Sequence, residues 1–266
     1  MKYYLSIMLL ASLFCFSLPA TGQASSVFHT DLSRFFAGYE GTFVLYDEDS
    51  DQYTIYNEQQ SQVRLSPCST FKIANSLIGL ESGVLAKDDA LTRLPWNGHQ
   101  YSIPAWNRDH TLASAMANSV VWYYQEVARR IGPARMQESV NKLHYGNQDI
   151  SGGIDRFWLE SSLKISAREQ VELLKQLYND KLPFAPENMA VVRKIMVQSA
   201  GDNLVFSGKT GSAYQNGQYV LGWFVGAVEK NGHKYFFATN IQNGPDAQGS
   251  TAREISRQIL TELELL

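Results

Sequence analysis

Cysteine is scarce in this sequence. The two cysteines are Cys15 and Cys68, and Cys15 falls within an apolar run near the N-terminus. If that run is removed after export, Cys68 stands alone and no disulfide can form within the chain. Stability must then come from a packed core, which the 44% content of apolar residues permits. We interpret Cys68 as a small buried side chain at the end of a loop rather than as a nucleophile.

Positive charge is not in excess, and long apolar segments are few. The formal net charge is −3, which gives no basic excess, so we do not expect the chain to bind nucleic acid. Residues 7–18 form the one marked apolar run, which is shorter than the roughly 20 residues of a membrane-spanning helix. Lys2 precedes this run and Thr21-Gly22-Gln23-Ala24 follows it, a pattern typical of a signal peptide.

This pattern predicts that residues 1–24 are a cleaved signal peptide and that residues 25–266 form the mature domain. The expected location is the periplasm or the outside of the cell, with no stable membrane span after cleavage. Two alternatives stay open, namely lipidation at Cys15 and an uncleaved N-terminal anchor.

Two common kinds of hydrolytic machinery are absent from the sequence. No G-x-S-x-G motif occurs, which disfavours an α/β-hydrolase. The histidines show no paired spacing of the kind that holds a catalytic zinc ion, so we expect no metal site. The five histidines are His29, His99, His110, His144 and His233.

Hydrophobic periodicity in the first two thirds of the chain predicts a hairpin followed by helices. Residues 42–46 and 52–56 alternate between apolar and polar side chains, as paired strands do. Residues 70–80 are predicted to form a helix, because Ile73, Leu77 and Leu80 lie about one turn apart. Residues 112–197 are predicted to be mostly helical, with a capping box from Ser166 to Glu169.

The pattern changes after residue 201. Residues 204–206, 219–228 and 235–241 are predicted strands, and Asn231-Gly232 is a turn between the last two. A second capping box, from Thr251 to Glu254, predicts the start of a terminal helix. Because N-terminal and C-terminal strands can pair, we expect an α+β fold. It would contain one antiparallel sheet, a helical insertion at roughly 80–200, and a cleft between the two parts.

Ser69-Thr70-Phe71-Lys72 is the first candidate for chemistry. Residues three apart on a helix share a face, so the Lys72 amine can lie near the Ser69 hydroxyl. A serine hydroxyl is a weak nucleophile until a neighbouring base removes its proton. Taken alone the pattern carries little weight, because about one S-x-x-K match arises by chance in a chain of this length.

Two further motifs follow in chain order. Ser119 stands among apolar residues between predicted helices, a position where serine commonly caps a helix. In Lys209-Thr210-Gly211, the lysine offers a cation to a carboxylate, and the glycine lets a ligand approach the backbone of an edge strand. The three motifs in this order are the signature of penicillin-binding proteins and serine β-lactamases, and together they are far more specific than any one alone.

The chain resembles the class D, or oxacillinase-type, β-lactamases over nearly all of its predicted mature length. Class A enzymes have S-D-N where this chain has Ser119-Val120-Val121. The resemblance implies a β-lactamase or penicillin-binding transpeptidase-like fold. It also implies hydrolysis of β-lactam antibiotics through a serine acyl-enzyme (EC 3.5.2.6), which confers β-lactam resistance. The segments that carry it are Pro67-Cys68-Ser69-Thr70-Phe71-Lys72-Ile73, Ser119-Val120-Val121-Trp122, Tyr145-Gly146-Asn147, Phe157-Trp158-Leu159-Glu160-Ser161-Ser162-Leu163, Lys209-Thr210-Gly211 and Gly222-Trp223-Phe224-Val225-Gly226.

By this resemblance, Ser69 is the nucleophile and Ser119 relays a proton to the lactam nitrogen. Lys72 is the general base after it has reacted with CO2 to form a carbamate, and no other cofactor is implied. The indole N–H of Trp158 donates to that carbamate. Burial lowers the pKa of a lysine, and only the neutral amine attacks CO2, so the chemistry is consistent with a buried Lys72.

The resemblance implies a second group of residues that contact the substrate. Lys209 and Thr210 hold the substrate carboxylate, and the backbone N–H groups of Ser69 and Ser212 form an oxyanion hole. Val121 and Leu159 control the access of water to the carbamate. Arg253, near the start of the last helix, is expected either at the substrate carboxylate or in solvent.

Substrate preference stays open at the sequence level. Ser212-Ala213 follows Lys209-Thr210-Gly211 where many relatives have an aromatic residue. The expected partners are β-lactam small molecules, not nucleic acid. Two alternative functions remain, a penicillin-binding sensor domain that is acylated without turnover and a D-alanyl-D-alanine peptidase.

Overall fold

The computed structural model describes residues 25–266, and the predicted signal peptide lies outside the described residues. A seven-stranded sheet has the strand order β1-β3-β2-β7-β6-β5-β4. The strands are β1 (Ser26–His29), β2 (Glu40–Asp47), β3 (Gln52–Tyr56), β4 (Val197–Ala200), β5 (Leu204–Gln215), β6 (Gln218–Lys230) and β7 (His233–Gln242).

Helices alternate with loops between β3 and β4, and one more helix follows the last strand. They are α1 (Glu58–Ser61), α2 (Lys72–Glu81), α3 (Leu112–Ala117), α4 (Val121–Ile131), α5 (Pro133–Lys142), α6 (Ala167–Tyr178), α7 (Pro186–Met196) and α8 (Gly249–Glu262). None of the helices in residues 25–266 is both long and apolar enough to cross a membrane.

The sheet separates two hydrophobic cores, because successive side chains along each strand point to opposite faces of the sheet. Phe43 and Leu45 of β2 pack with α8 on one face, whereas Val44 and Tyr46 join the larger core beneath the helices on the other face. The α+β layout with paired N-terminal and C-terminal strands is therefore confirmed, as is the hairpin of β2 and β3.

The expectation of a purely antiparallel sheet was wrong at one edge. Strand β1 runs parallel to β3, and neither β1 nor β4 was predicted. All four residues of each strand are exposed, so neither strand carries the alternation of buried and exposed positions that marks a strand in sequence.

Strand β5 is much longer than predicted and carries the Lys209-Thr210-Gly211 motif within it. Gly208 and Gly211 look like strand breakers in the sequence, but each lets a neighbouring group pack closely against the strand. A Cβ on Gly208 would lie 2.5 Å from the Phe224 ring, and one on Gly211 would lie 2.9 Å from the Pro67 carbonyl oxygen. Glycine at these positions therefore marks tight packing rather than the end of a strand.

One predicted capping box is confirmed and the other is wrong. Both reciprocal hydrogen bonds of the box from Ser166 to Glu169 are present at the start of α6. Helix α8 instead begins at Gly249, before Thr251. The Gly249 N–H donates to the Ser212 Oγ on β5 at 2.9 Å, so a residue distant in sequence supplies the cap.

Candidate active site

Ser69 and Lys72 meet where a short 3-10 turn, Cys68–Phe71, leads into α2. The Lys72 Nζ donates to the Ser69 Oγ at 2.8 Å. Cys68, just before Ser69, has a φ of +48°, a left-handed conformation that a residue with a side chain rarely adopts. This strained turn presents a half-buried Ser69 above a fully buried Lys72.

Burial controls the charge of Lys72. Its side chain is 0% exposed, and desolvation holds the pKa of the amine well below its usual value. The positive charge of Lys209 lowers this pKa further. A neutral amine has a free lone pair, so Lys72 can act as a proton acceptor or as a nucleophile toward a small electrophile.

Aromatic rings and apolar side chains enclose the start of α2. The ring of Phe71 stacks on Trp158 with centroids 5.5 Å apart, and Val120 is fully buried nearby in the same core. The Trp158 Nε1 is buried and has no hydrogen-bond partner among residues 25–266. A buried N–H donor without a partner is costly, so this site is suited to an acceptor group.

Ser119 and Lys209 are 90 residues apart in the chain and lie in contact with each other. Ser119 lies between α3 and α4 with a φ of +53°, and its Oγ accepts from the Lys209 Nζ at 3.0 Å. Burial, followed by the nearby charge of Arg253, lowers the pKa of Lys209 to about 7. The same amine donates to the Thr210 carbonyl oxygen at 3.0 Å.

Strand β5 passes directly against the turn that carries Ser69. A Cβ on Gly211 would lie 3.3 Å from the Ser69 nitrogen. Strand β4 pairs with β5 only as far as Ser207, so residues 209–215 form a free edge on that side within the described chain. This edge places backbone polar groups beside Ser69, while the Ser212 hydroxyl is turned toward α8.

Arg253 lies on the first turns of α8 and shares a cavity of about 380 Å³ with Lys209 and Thr210. The structure thus brings Arg253 to the positively charged side of the cleft.

Val121 is the first residue of α4 and Leu159 directly follows Trp158; both are half-buried. No group of three or more potential metal-ligating side chains occurs in residues 25–266.

Ser66 and Glu160 hold the loop that contains Trp158, and sequence analysis missed both. The Ser66 Oγ donates to the Trp158 carbonyl oxygen at 3.1 Å and accepts from the Glu160 N–H at 3.0 Å. The Glu160 carboxylate accepts from the Tyr214 N–H on β5 at 2.9 Å. These contacts join residues far apart in the chain, so no local pattern could have revealed them.

We expect Ser66→Ala to lower the free energy of unfolding by about 1–3 kcal/mol, because the Trp158 carbonyl and the Glu160 N–H both lose a buried partner. Urea titration measures this change. Ser102→Ala, at an exposed serine, is the control and should stay within about 0.5 kcal/mol of the wild type. Equal stability of the two variants would show that the Ser66 hydroxyl does not brace this loop.

Comparisons with known proteins agree with this geometry. Residues 41–261 match the family described as penicillin binding protein transpeptidase domain. The chain is 40% identical to a probable β-lactamase, YbxI, of Bacillus subtilis strain 168, over 99% of this chain and 97% of the relative.

Two solved structures extend the comparison. The class D β-lactamase BAT-2 superposes with a TM-score of 0.84 at 43% identity, covering 89% of this chain and 97% of that one. The C-terminal domain of the Bacillus licheniformis BlaR penicillin receptor superposes with a TM-score of 0.87 at 37% identity, covering 92% and 99%. With the serine, lysine and β5 motifs assembled around one cleft, the chain belongs to the class D serine β-lactamases of the penicillin-binding transpeptidase family.

Proposed function

We propose that this protein hydrolyses β-lactam antibiotics through an acyl-enzyme on Ser69, with Lys72 carbamylated to serve as the general base. The observation that carries the proposal is the 2.8 Å contact between the buried Lys72 amine and the Ser69 hydroxyl, with the free edge of β5 alongside. Steady-state turnover of nitrocefin tests it, because many equivalents of product per protein require both acylation and deacylation.

The surroundings of Lys72 fit a carbamate. Burial lowers the pKa of its amine and so favours the neutral form, which is the form that reacts with CO2. The buried Trp158 N–H has no partner in the described part of the chain and would donate to the new anion. A carbamate on Lys72 would supply an anionic oxygen base, both for the Ser69 proton and later for a water molecule.

In acylation, Ser69 loses its proton to the base at position 72 and its Oγ bonds to the lactam carbonyl carbon. Backbone N–H groups of Ser69 and Ser212 donate to the carbonyl oxygen as it becomes negative. The lactam C–N bond then breaks, and Ser119 passes a proton to the departing nitrogen. Lys209 stands behind Ser119 at 3.0 Å and can replace that proton.

Lys209, Thr210 and Arg253 share one wall of the cleft, and we assign them to the substrate carboxylate. Gly211 belongs to the same binding edge, because its missing side chain lets the turn that carries Ser69 pack closely against β5. Val121 and Leu159 are assigned as the apolar pair that admits water for deacylation.

The charge of Lys209 sets an expected pH dependence. Its pKa of about 7 means that the amine is protonated below that pH and neutral above it. Carboxylate binding by free enzyme therefore weakens as pH rises through 7, and kcat/KM should fall there. A bound carboxylate favours the protonated amine, so kcat should fall only at higher pH. Rate profiles with penicillin test this split, and coincident alkaline limbs for both constants would contradict it.

A sensor without turnover is the second candidate, since the BlaR receptor domain superposes as well as the enzymes do. A burst of one nitrocefin per protein, with no steady state after it, would support the sensor and contradict hydrolysis.

We also propose export with cleavage after Ala24. The intact mass of protein purified from the cell envelope and medium tests this step.

A further inference from the structure

We propose that the carboxylate side of the cleft continues into a cationic trough that binds a negatively charged substituent of the β-lactam. This inference rests on the proposed function and names the substrates that the site would prefer. The substituent is one carried next to the ring carboxylate, as at C3 of a cephalosporin. The trough is defined by Gln198, Phe206, Arg253 and Arg257.

Two adjoining cavities form the route. The first, of about 380 Å³, begins at Lys209 and Thr210 and is bounded by Arg253 and Gln198. The second, of about 320 Å³, shares Arg253 and Gln198 with the first and extends to Arg257 and Phe206. The Gln198 Nε2 donates to the Gly208 carbonyl oxygen at 3.1 Å, which fixes the side chain at the junction.

Positive charges outnumber negative ones along this route, with two arginines and one glutamate lining the second cavity. Arg253 and Arg257 are one helical turn apart on α8, so they face the same way. Neither forms an ion pair within residues 25–266. The guanidinium of Arg257 lies 5.3 Å from the centroid of the Phe206 ring, which helps to hold it in place. The one acidic residue that lines the second cavity, Glu254, accepts from the Gln258 side chain.

The direction of the trough follows from β5. Gly211 packs against the turn that carries Ser69, whereas Gly208, Lys209 and Thr210 line the first cavity. Moving back along the strand therefore leads from the reacting carbonyl, past the carboxylate contacts, to the trough. In a cephalosporin the C3 carbon adjoins the carbon that bears the carboxylate. A carboxylate on Lys209 and Thr210 then places the C3 substituent at the entrance.

The test uses two cephalosporins with the same 7-acyl group. One carries a carboxymethylthiomethyl group at C3, and the other carries the corresponding neutral carboxamide. We expect wild-type kcat/KM to favour the anion by about three- to fivefold, as a partly exposed charge contact allows. Arg257→Gln should bring this ratio close to one, and about 0.5 M salt should reduce it in the wild type. Lys87→Gln also removes one exposed positive charge, beyond the far end of α2 from Lys72, and should keep the wild-type ratio.

A wild-type ratio near one, or a ratio that Arg257→Gln and Lys87→Gln leave equal, would overturn the trough while leaving β-lactam hydrolysis intact. If wild-type protein hydrolyses penicillin but neither cephalosporin, the trough fails alone, whereas turnover of neither class of substrate means that the proposed function fails and the inference with it. The rate on penicillin, measured with the same protein, distinguishes these two outcomes.

Discussion

Ser69→Ala is expected to abolish formation of a covalent penicillin adduct and to lower nitrocefin turnover by a factor on the order of 10⁴ or more. The hydroxyl removed is the group held 2.8 Å from the Lys72 amine, whereas the Ser212 hydroxyl accepts from the Gly249 N–H and the Ser119 hydroxyl accepts from Lys209. Intact-protein mass spectrometry after incubation with penicillin measures the adduct, and nitrocefin hydrolysis measures the turnover.

The fold should survive this substitution, because it deletes one half-buried oxygen from a turn whose main supports lie elsewhere. The Thr70 hydroxyl donates to the Pro67 carbonyl at 2.7 Å and accepts from Gln170 at 2.8 Å. Thermal unfolding within a few degrees of the wild type would show this, and Ser102→Ala provides the matched exposed control. A penicillin adduct on correctly folded Ser69→Ala protein would contradict the assignment of the nucleophile.

Lys72→Ala is expected to lower kcat by about 10² to 10⁴, the range for loss of a general base. Deacylation needs that base to activate water, so any adduct that forms on Ser69 should persist for long enough to be seen by mass spectrometry. The wild type should show little adduct in its steady state. Lys87→Ala is the control, since it removes an exposed amine from a segment outside the cleft.

The outcome that would contradict this role is rapid release of the adduct by Lys72→Ala protein. The cleft would then have to activate water through another group. Lys209 is the other buried amine on the cleft, and its contacts are to Ser119 and Thr210 rather than to Ser69. Its position therefore favours proton relay over a role as the base for Ser69.

Features encoded locally could be predicted from the sequence. The pair Ser69 and Lys72 is three residues apart at the start of a helix, and alternation identified the hairpin of β2 and β3. The capping box at Ser166 is likewise complete within four residues. In each case the interacting groups are near neighbours along the chain, so their spacing reports their geometry.

Features that depend on tertiary contacts could not be predicted in this way. The cap of α8 comes from Ser212 on β5, so the helix does not begin at Thr251 as the sequence predicted. The brace of Ser66 and Glu160 joins positions 94 residues apart. The sequence predicted a shorter β5, because its glycines look like strand breakers. Their packing against Phe224 and Pro67 depends on tertiary contacts, which one sequence cannot reveal.

The position of Arg253 could be predicted only in part from the sequence. The resemblance set it near the last helix, but only the fold shows that it lines one cavity with Lys209. Burial is the larger cause of the lowered pKa of Lys209, and the positive charge of Arg253 lowers this pKa further.

The role proposed for Lys72 requires its buried amine to become an anionic base beside Ser69, a group that ¹³C NMR detects directly. Protein equilibrated with ¹³C-bicarbonate should give one carbamate signal that Lys72→Ala protein lacks. Nitrocefin turnover should rise and fall with the intensity of that signal as bicarbonate is added and removed. Undiminished turnover in CO2-free buffer, with no carbamate signal, would contradict the account.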